Sequence, residues 1–206
     1  MSASTMQPNL DQLAGLTGVR AGALSRWQET GWPNNRVEQW RFTRLTSLEK
    51  MDLRPASNAA TLGNAATAAT LPENGVVLSF SNGVLDVAGL AALPDGVKAS
   101  FLSENDTALA ALAASVPKSH PISDLSLAVM TSGLHLEIVG KVDVPIILVF
   151  TGDDNGVSSH PVLSVKLADG ASAALAEWHQ SAVGLSAPLM AIEVGDKARL
   201  DYAKVQ

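Results

Sequence analysis

No cysteine occurs in the 206 residues. A chain without thiols forms no disulfide, has no thiolate nucleophile and cannot by itself ligate zinc or an iron–sulfur cluster through sulfur. Basic residues are outnumbered, 14 Lys and Arg against 20 Asp and Glu, for a net charge of −6. That balance argues against a nucleic-acid binder, which needs a basic stripe to displace counterions from phosphates, and the basic residues are scattered along the chain. The densest basic group, Arg36, Arg41 and Arg44, is interleaved with Glu38 and reads as a solvated helix face. Long hydrophobic runs are missing too. Val144 to Phe150 is only seven residues and contains Pro145, far short of the ~20 that span a bilayer. Met1 to Leu10 shows neither a basic n-region nor an apolar h-region, so no secretory signal is expected. A reducing, cytoplasmic setting fits these absences.

Aromatics make up 4% of the chain, and three of its four tryptophans, Trp27, Trp32 and Trp40, fall close together near the N-terminus. They sit in a segment with helical periodicity. Leu10, Leu13, Leu16, Val19, Ala23, Leu24 and Trp27 recur at three- and four-residue steps, which places them on one face of one helix or two short ones. Gly31 stands where a helix-ending glycine belongs and Pro33 bars continuation. A second short amphipathic piece is expected over Val37 to Leu45. Residues Pro55 to Thr70 are rich in Ala, Asn and Thr and read as a flexible connection.

Beyond it the period changes to two. Val76 to Phe80 and Val84 to Val87 flank Asn82-Gly83, a strong hairpin signal. A helix is expected at about Asp106 to Ser115, with Ser103 and Asp106 at capping-box spacing. From Ile122 onward the pattern predicts a succession of short strands. Leu134, Leu136 and Ile138 alternate with polar residues, as do Leu163, Val165 and Leu167, and then Leu200 and Tyr202. Such a run fits a sandwich, a barrel or a β-solenoid, and periodicity does not choose among them. Ala198 to Val205 reads as a strand with nothing after it to pair with, and an unpaired strand invites self-association.

Little of this carries catalytic chemistry. There is no phosphate-cradling glycine loop after a strand and no GxSxG elbow. Asp153-Asp154-Asn155 lacks the spacing of a calcium loop and reads as a turn. Of the four histidines, His120 and His160 precede prolines and His135 falls on the polar face of a strand. The most suggestive group is Glu177-Trp178-His179, because strand alternation puts the carboxylate and the imidazole on one face. There they can share a metal or a proton. The blander alternative is an exposed polar face beside a buried Trp178. A third ligand is missing, so Glu177 and His179 are weak metal candidates and no catalytic residue is assigned.

The stretch Arg26 to Thr43 narrows these choices. Gly31, Pro33, Arg36, Glu38, Trp40, Arg41, Phe42 and Thr43 resemble the N-terminal signature of the SufD branch of the SufB/SufD family. Its members carry G-x-P followed by R-x-E-x-W-[KR]-[FY]-T. Further blocks agree in order: Asn82-Gly83 with Leu93 to Val97, then Pro145 to Leu148 with His160 to Leu163, and finally Asp169 to Ala171, Glu177 to His179 and Ala198 to Gln206. The chain departs from the family at Val162, where Arg is frequent, and lacks the asparagines usual near Leu125 to Thr131 and Leu189 to Glu193.

The resemblance implies a non-catalytic scaffold of the SUF iron–sulfur cluster assembly machinery, pairing with SufB and carrying the SufC ATPase. The cluster forms transiently in the complex, and no cofactor is bound by this chain alone. Nucleic acid and membrane are not implied as partners. The implied fold is α+β: an N-terminal helical region over residues 1–54, a linker over 55–75, a small α/β segment over 76–120, and over 121–206 the first coils of a right-handed parallel β-helix. Family members are considerably longer, so a truncated, incomplete β-helix is the expectation. Their SufB-pairing and SufC-contacting parts lie towards the C-terminus, so no functional residue transfers. The competing expectation is a self-contained β-rich ligand- or metal-binding module built on Glu177 and His179. A lyase or hydrolase would need a cleft of several carboxylates, and the sequence offers none.

Overall fold

The computed structural model describes residues 13, 15–33, 38–43, 54–55, 71, 74–102, 107–117, 120–152, 156–181 and 184–206. Most of the connection read after Pro55, the Ser103/Asp106 capping box, Arg36, Arg44 and the turn at 153–155 lie outside them. The described residues form a mixed α+β fold of three helices and three open sheets.

Helix α1, Gly18–Thr30, is a single helix that starts later than the apolar periodicity does. It ends where the sequence signals: Gly31 takes φ +64° and its N–H bonds the Trp27 carbonyl at 2.7 Å. Ala23 and Trp27 are its buried face, and Trp32 meets Trp27 edge to face at 6.1 Å. Within the piece expected over Val37 to Leu45, the described residues hold one 3-10 turn, Glu38–Trp40. Helix α2, Thr107–Ser115, lies as predicted. Helix α3, Pro121–Val129, corrects the reading of a strand succession starting at Ile122. Seven of its nine residues are buried, the polar Asp124 and Ser126 among them, and over so short a stretch periodicity alone does not separate a buried helix from a strand. Arg26 pairs with the buried Asp124 carboxylate at 2.8 Å, and the Arg20 guanidinium caps the Ala128 carbonyl. These two contacts fasten α1 to both ends of α3.

The strands are β1 (Arg54–Pro55), β2 (Val76–Ser81), β3 (Val84–Leu85), β4 (Val97–Phe101), β5 (Ser132–Ile138), β6 (Ile146–Gly152), β7 (Val157–Ser159), β8 (Pro161–Leu167), β9 (Ser172–Ser181), β10 (Leu185–Ser186), β11 (Leu189–Val194) and β12 (Arg199–Val205). One sheet has the order β1-β7-β10, a second β11-β8-β5-β4 and a third β12-β9-β6-β2-β3. Pro55, read as part of the connection, joins the first of these. From β5 on, the chain visits second, third and first sheet in rotation, and every pairing between these strands is parallel. Each strand lies beside the one from the previous circuit: Leu175 beside Ile146, and then Arg199 beside Ser172. Among the described strands only β3 and β4 run antiparallel to their neighbours. The β2–β3 turn is the expected hairpin, with Asn82 at φ +49° and Gly83 at φ +83°.

Inward-facing positions stack into columns: Leu78 on Leu148, Phe80 on Phe150, Leu134 on Leu163. These residues make one core between the sheets. A second core gathers Ala23, Trp27, Leu109, Leu112, Leu125 and Leu127 of the helices with Val162 of β8. Among the described residues no helix is long and apolar enough to cross a membrane.

Candidate functional site

Strand β9 pairs with β6 on one side and β12 on the other. Its inward-facing positions begin with Ala173 and Leu175 in the core. Alternation then requires Glu177 and His179 to point inward as well. The structure meets that requirement: Glu177 is buried, while Trp178, on the opposite face, is only half-buried. The picture of an exposed polar face beside a buried tryptophan is therefore reversed, though the pair does share a face.

A carboxylate buried among apolar columns must find donors, because an unpaired charge there costs several kcal/mol. Glu177 finds three. His179 Nε2 lies 2.7 Å from its Oε2, the Tyr202 hydroxyl donates to its Oε1, and Lys204 Nζ stands 3.5 Å from Oε2. Register explains the last two, since Lys204 is the cross-strand partner of Glu177 and Tyr202 that of Leu175. Burial alone pushes the Glu177 carboxyl up, but the His179 and Tyr202 hydrogen bonds and the neighbouring positive charge outweigh it, leaving the carboxyl below its usual range. Tyr202 moves the other way. Burial first, then the hydrogen bond and charge of Glu177, hold its phenol well above its ordinary value.

The His179 ring is fixed from behind. It stacks on Phe150 at 4.8 Å, and Phe150 stacks on Phe80 at 5.1 Å. One aromatic column thus runs across β2, β6 and β9. Chemically, Glu177 is an ionised acceptor and Tyr202 a donor that keeps its proton, so neither is poised near neutrality for proton transfer. The arrangement suits holding a charge in a fixed place.

The other histidines are dispersed. His120 caps α3, its Nδ1 accepting from the Ser123 N–H at 3.3 Å, and packs on Trp40. His135 Nδ1 lies 3.1 Å from Ser164 Oγ across the second sheet. His160 is buried between β7 and β8, with Nδ1 3.1 Å from Ser126 Oγ of α3. Burial lowers its pKa from 6.5 to about 3. Among the described residues no three of His, Cys, Asp or Glu converge as a metal would need. A cleft of about 720 Å³ lies elsewhere, between α1 and the end of α2, with Arg26 and Asp124 in its wall.

Sequence reading found Glu177 and His179 but not Tyr202 or Lys204. The available signal was spacing. Lys204 follows Glu177 at the same interval at which Asp196 follows Asp169, and the Asp196 N–H bonds the Asp169 carboxylate. No protein-family model matches the chain, and no curated protein matches it.

Proposed function

We propose that this chain is a SufD-type scaffold component of the SUF iron–sulfur cluster assembly complex, acting with SufB and the SufC ATPase and catalysing no step itself. The observation that carries the reading is the signature Gly31, Pro33, Arg36, Glu38, Trp40, Arg41, Phe42 and Thr43, followed by the other blocks in family order. The rotation of the chain through three sheets, with each parallel partner one circuit further along, supports reading strands β5 to β12 as coils of a right-handed parallel β-helix. The absence of cysteine from the chain accords with cluster thiolates being supplied by a partner. The antiparallel strands β3 and β4, which edge the third and second sheets at one end, fit a coil stack closed at that end.

The test is co-purification. The gene product, tagged at its N-terminus and isolated from its own cells, should bring down SufB and SufC, and on its own should hydrolyse no ATP. An eluate lacking SufB would end the assignment.

A further inference from the structure

We propose that copies of this chain associate head to tail, strand β11 of one copy pairing antiparallel with strand β4 of the next. These strands are the two edges of the second sheet, whose order is β11-β8-β5-β4. Among the described strands β11 has only β8 beside it and β4 only β5, so one flank of each is a template for a further strand. A cross-strand row of charges shows which strand fits. Lys98, Glu137, Lys166 and Glu193 stand opposite one another across β4, β5, β8 and β11. They face outward, because Leu136, Ile138, Val165 and Leu167 on either side of them belong to the core. The charges alternate along the row, from a lysine at one edge to a glutamate at the other. Opposite charges facing across a strand pair stabilise it and like charges oppose it. Each edge of one copy therefore carries the charge that continues the row of another. Lys166 already lies 3.1 Å from one Glu193 oxygen, and Lys98 of the second copy approaches that carboxylate from its open flank.

The apolar residues agree with the same register. With Glu193 opposite Lys98, Val194 meets Val97, Ile192 meets Ala99 and Met190 meets Phe101. Alternation puts these residues on the core-facing side, where Val97, Ala99 and Met190 already pack against the core. Phe101, Ile192 and Val194 are 59%, 37% and 48% exposed, and the pairing covers all three. Direction follows from the sheet. Strands β5, β8 and β11 run parallel and β4 runs antiparallel to β5, so two copies stacked in one orientation bring β11 and β4 together antiparallel. The third sheet ends the same way round, with β12 at one edge and β3 at the other. Pairing either edge with itself about a two-fold centred on its charge sets Lys98 against Lys98, or Glu193 against Glu193, which opposes association. A contact between two different surfaces does not close at two copies.

The test is the mass of the purified chain in solution, followed by sedimentation velocity over a wide concentration range. Mass should climb past that of two chains as concentration rises. Lys98→Glu and Glu193→Lys each set like charges across the contact, and each should raise the concentration of half-association by about tenfold or more. The double variant Lys98→Glu with Glu193→Lys restores an opposite pair and should recover association. Both side chains are exposed, and circular dichroism of each variant checks that the fold is kept. A chain that stays monomeric at every concentration, or a dimer that grows no further, overturns the proposal. So does Lys98→Glu associating as tightly as the parent, or a double variant no better than the single ones.

Discussion

His160 is enclosed by three elements: its main chain bonds Thr131 through both N–H and carbonyl, and its ring meets Ser126 of α3. Ser126 in turn donates to the Ala187 carbonyl ahead of β11. Burial alone lowers the pKa of the ring to about 3. The sign of the linkage follows. Between the ordinary value of 6.5 and about 3 the unfolded chain takes up a proton that the folded chain refuses. Stability must therefore fall as pH drops through that window, by about 1.4 kcal/mol per pH unit from this group. Urea unfolding midpoints measured between pH 7 and pH 4 should show a shallower decline for His160→Asn than for the parent; parallel curves would refute it. Gly83 is the second residue whose environment fixes its identity. At φ +83° a side chain is already strained, and a Cβ there would sit 2.4 Å from Thr131 Oγ1, which donates to the Gly83 carbonyl. Gly83→Ala should cost about 1–3 kcal/mol, read as a lowered thermal midpoint.

Between elements, two identical dipeptides ended in different structures, which shows how much was legible in the sequence. His120-Pro121 opens helix α3 and His160-Pro161 opens strand β8. Proline is tolerated at both the first helical and the first strand position, and in each case the residue before it is extended. The dipeptide therefore sets the boundary and leaves the element open. What decides is tertiary packing: α3 is enclosed by α1 and the second sheet, with Asp124 and Ser126 buried along with its apolar residues, and a stretch this short reads as helix or strand alike from periodicity. The β2–β3 hairpin was legible because Asn82-Gly83 demands positive φ whatever surrounds it. The site was half legible, since alternation is local whereas the approach of Tyr202 depends on a parallel register set one full circuit earlier in the chain. That register also supports a prediction for strand β12. Its links to β9 are the backbone ladder plus Tyr202 and Lys204 reaching Glu177. Removing the phenol oxygen by Tyr202→Phe should cost about 1 kcal/mol, discounted for its exposure. Amide exchange should then quicken along residues 199–205 and stay unchanged in β6. Uniform acceleration across the sheet would contradict this.

Across the whole molecule, stability depends on where a residue stands in the stack of strands. The inner columns are laid down once per circuit, so a strand with neighbours on both sides buries its inward side chains from two directions. Strand β8 is such a strand, flanked by β5 and β11, and Leu163 is fully buried within it. It also faces two ways: Leu163 and Val165 belong to the core between the sheets, while Val162 belongs to the helical core. Among the described strands β12 has only β9 beside it, and Leu200 is merely packed against the edge of the same core. Identical truncations should therefore differ in cost by position and not by chemistry. Leu163→Ala leaves a cavity that neither neighbouring strand can fill and should cost about 2–5 kcal/mol. Leu200→Ala exposes little that was not already half open and should cost about 1 kcal/mol or less. Both are measured as shifts in the urea midpoint at pH 7, with the transition slope confirming that each variant still unfolds as the parent does. Equal losses would mean that the outer strand carries as much of the core as the inner one. Ile192 and Val194 on β11 and Tyr202 on β12, all more than a third exposed, leave apolar surface open on that outer side, as Phe101 does on β4 at the opposite edge.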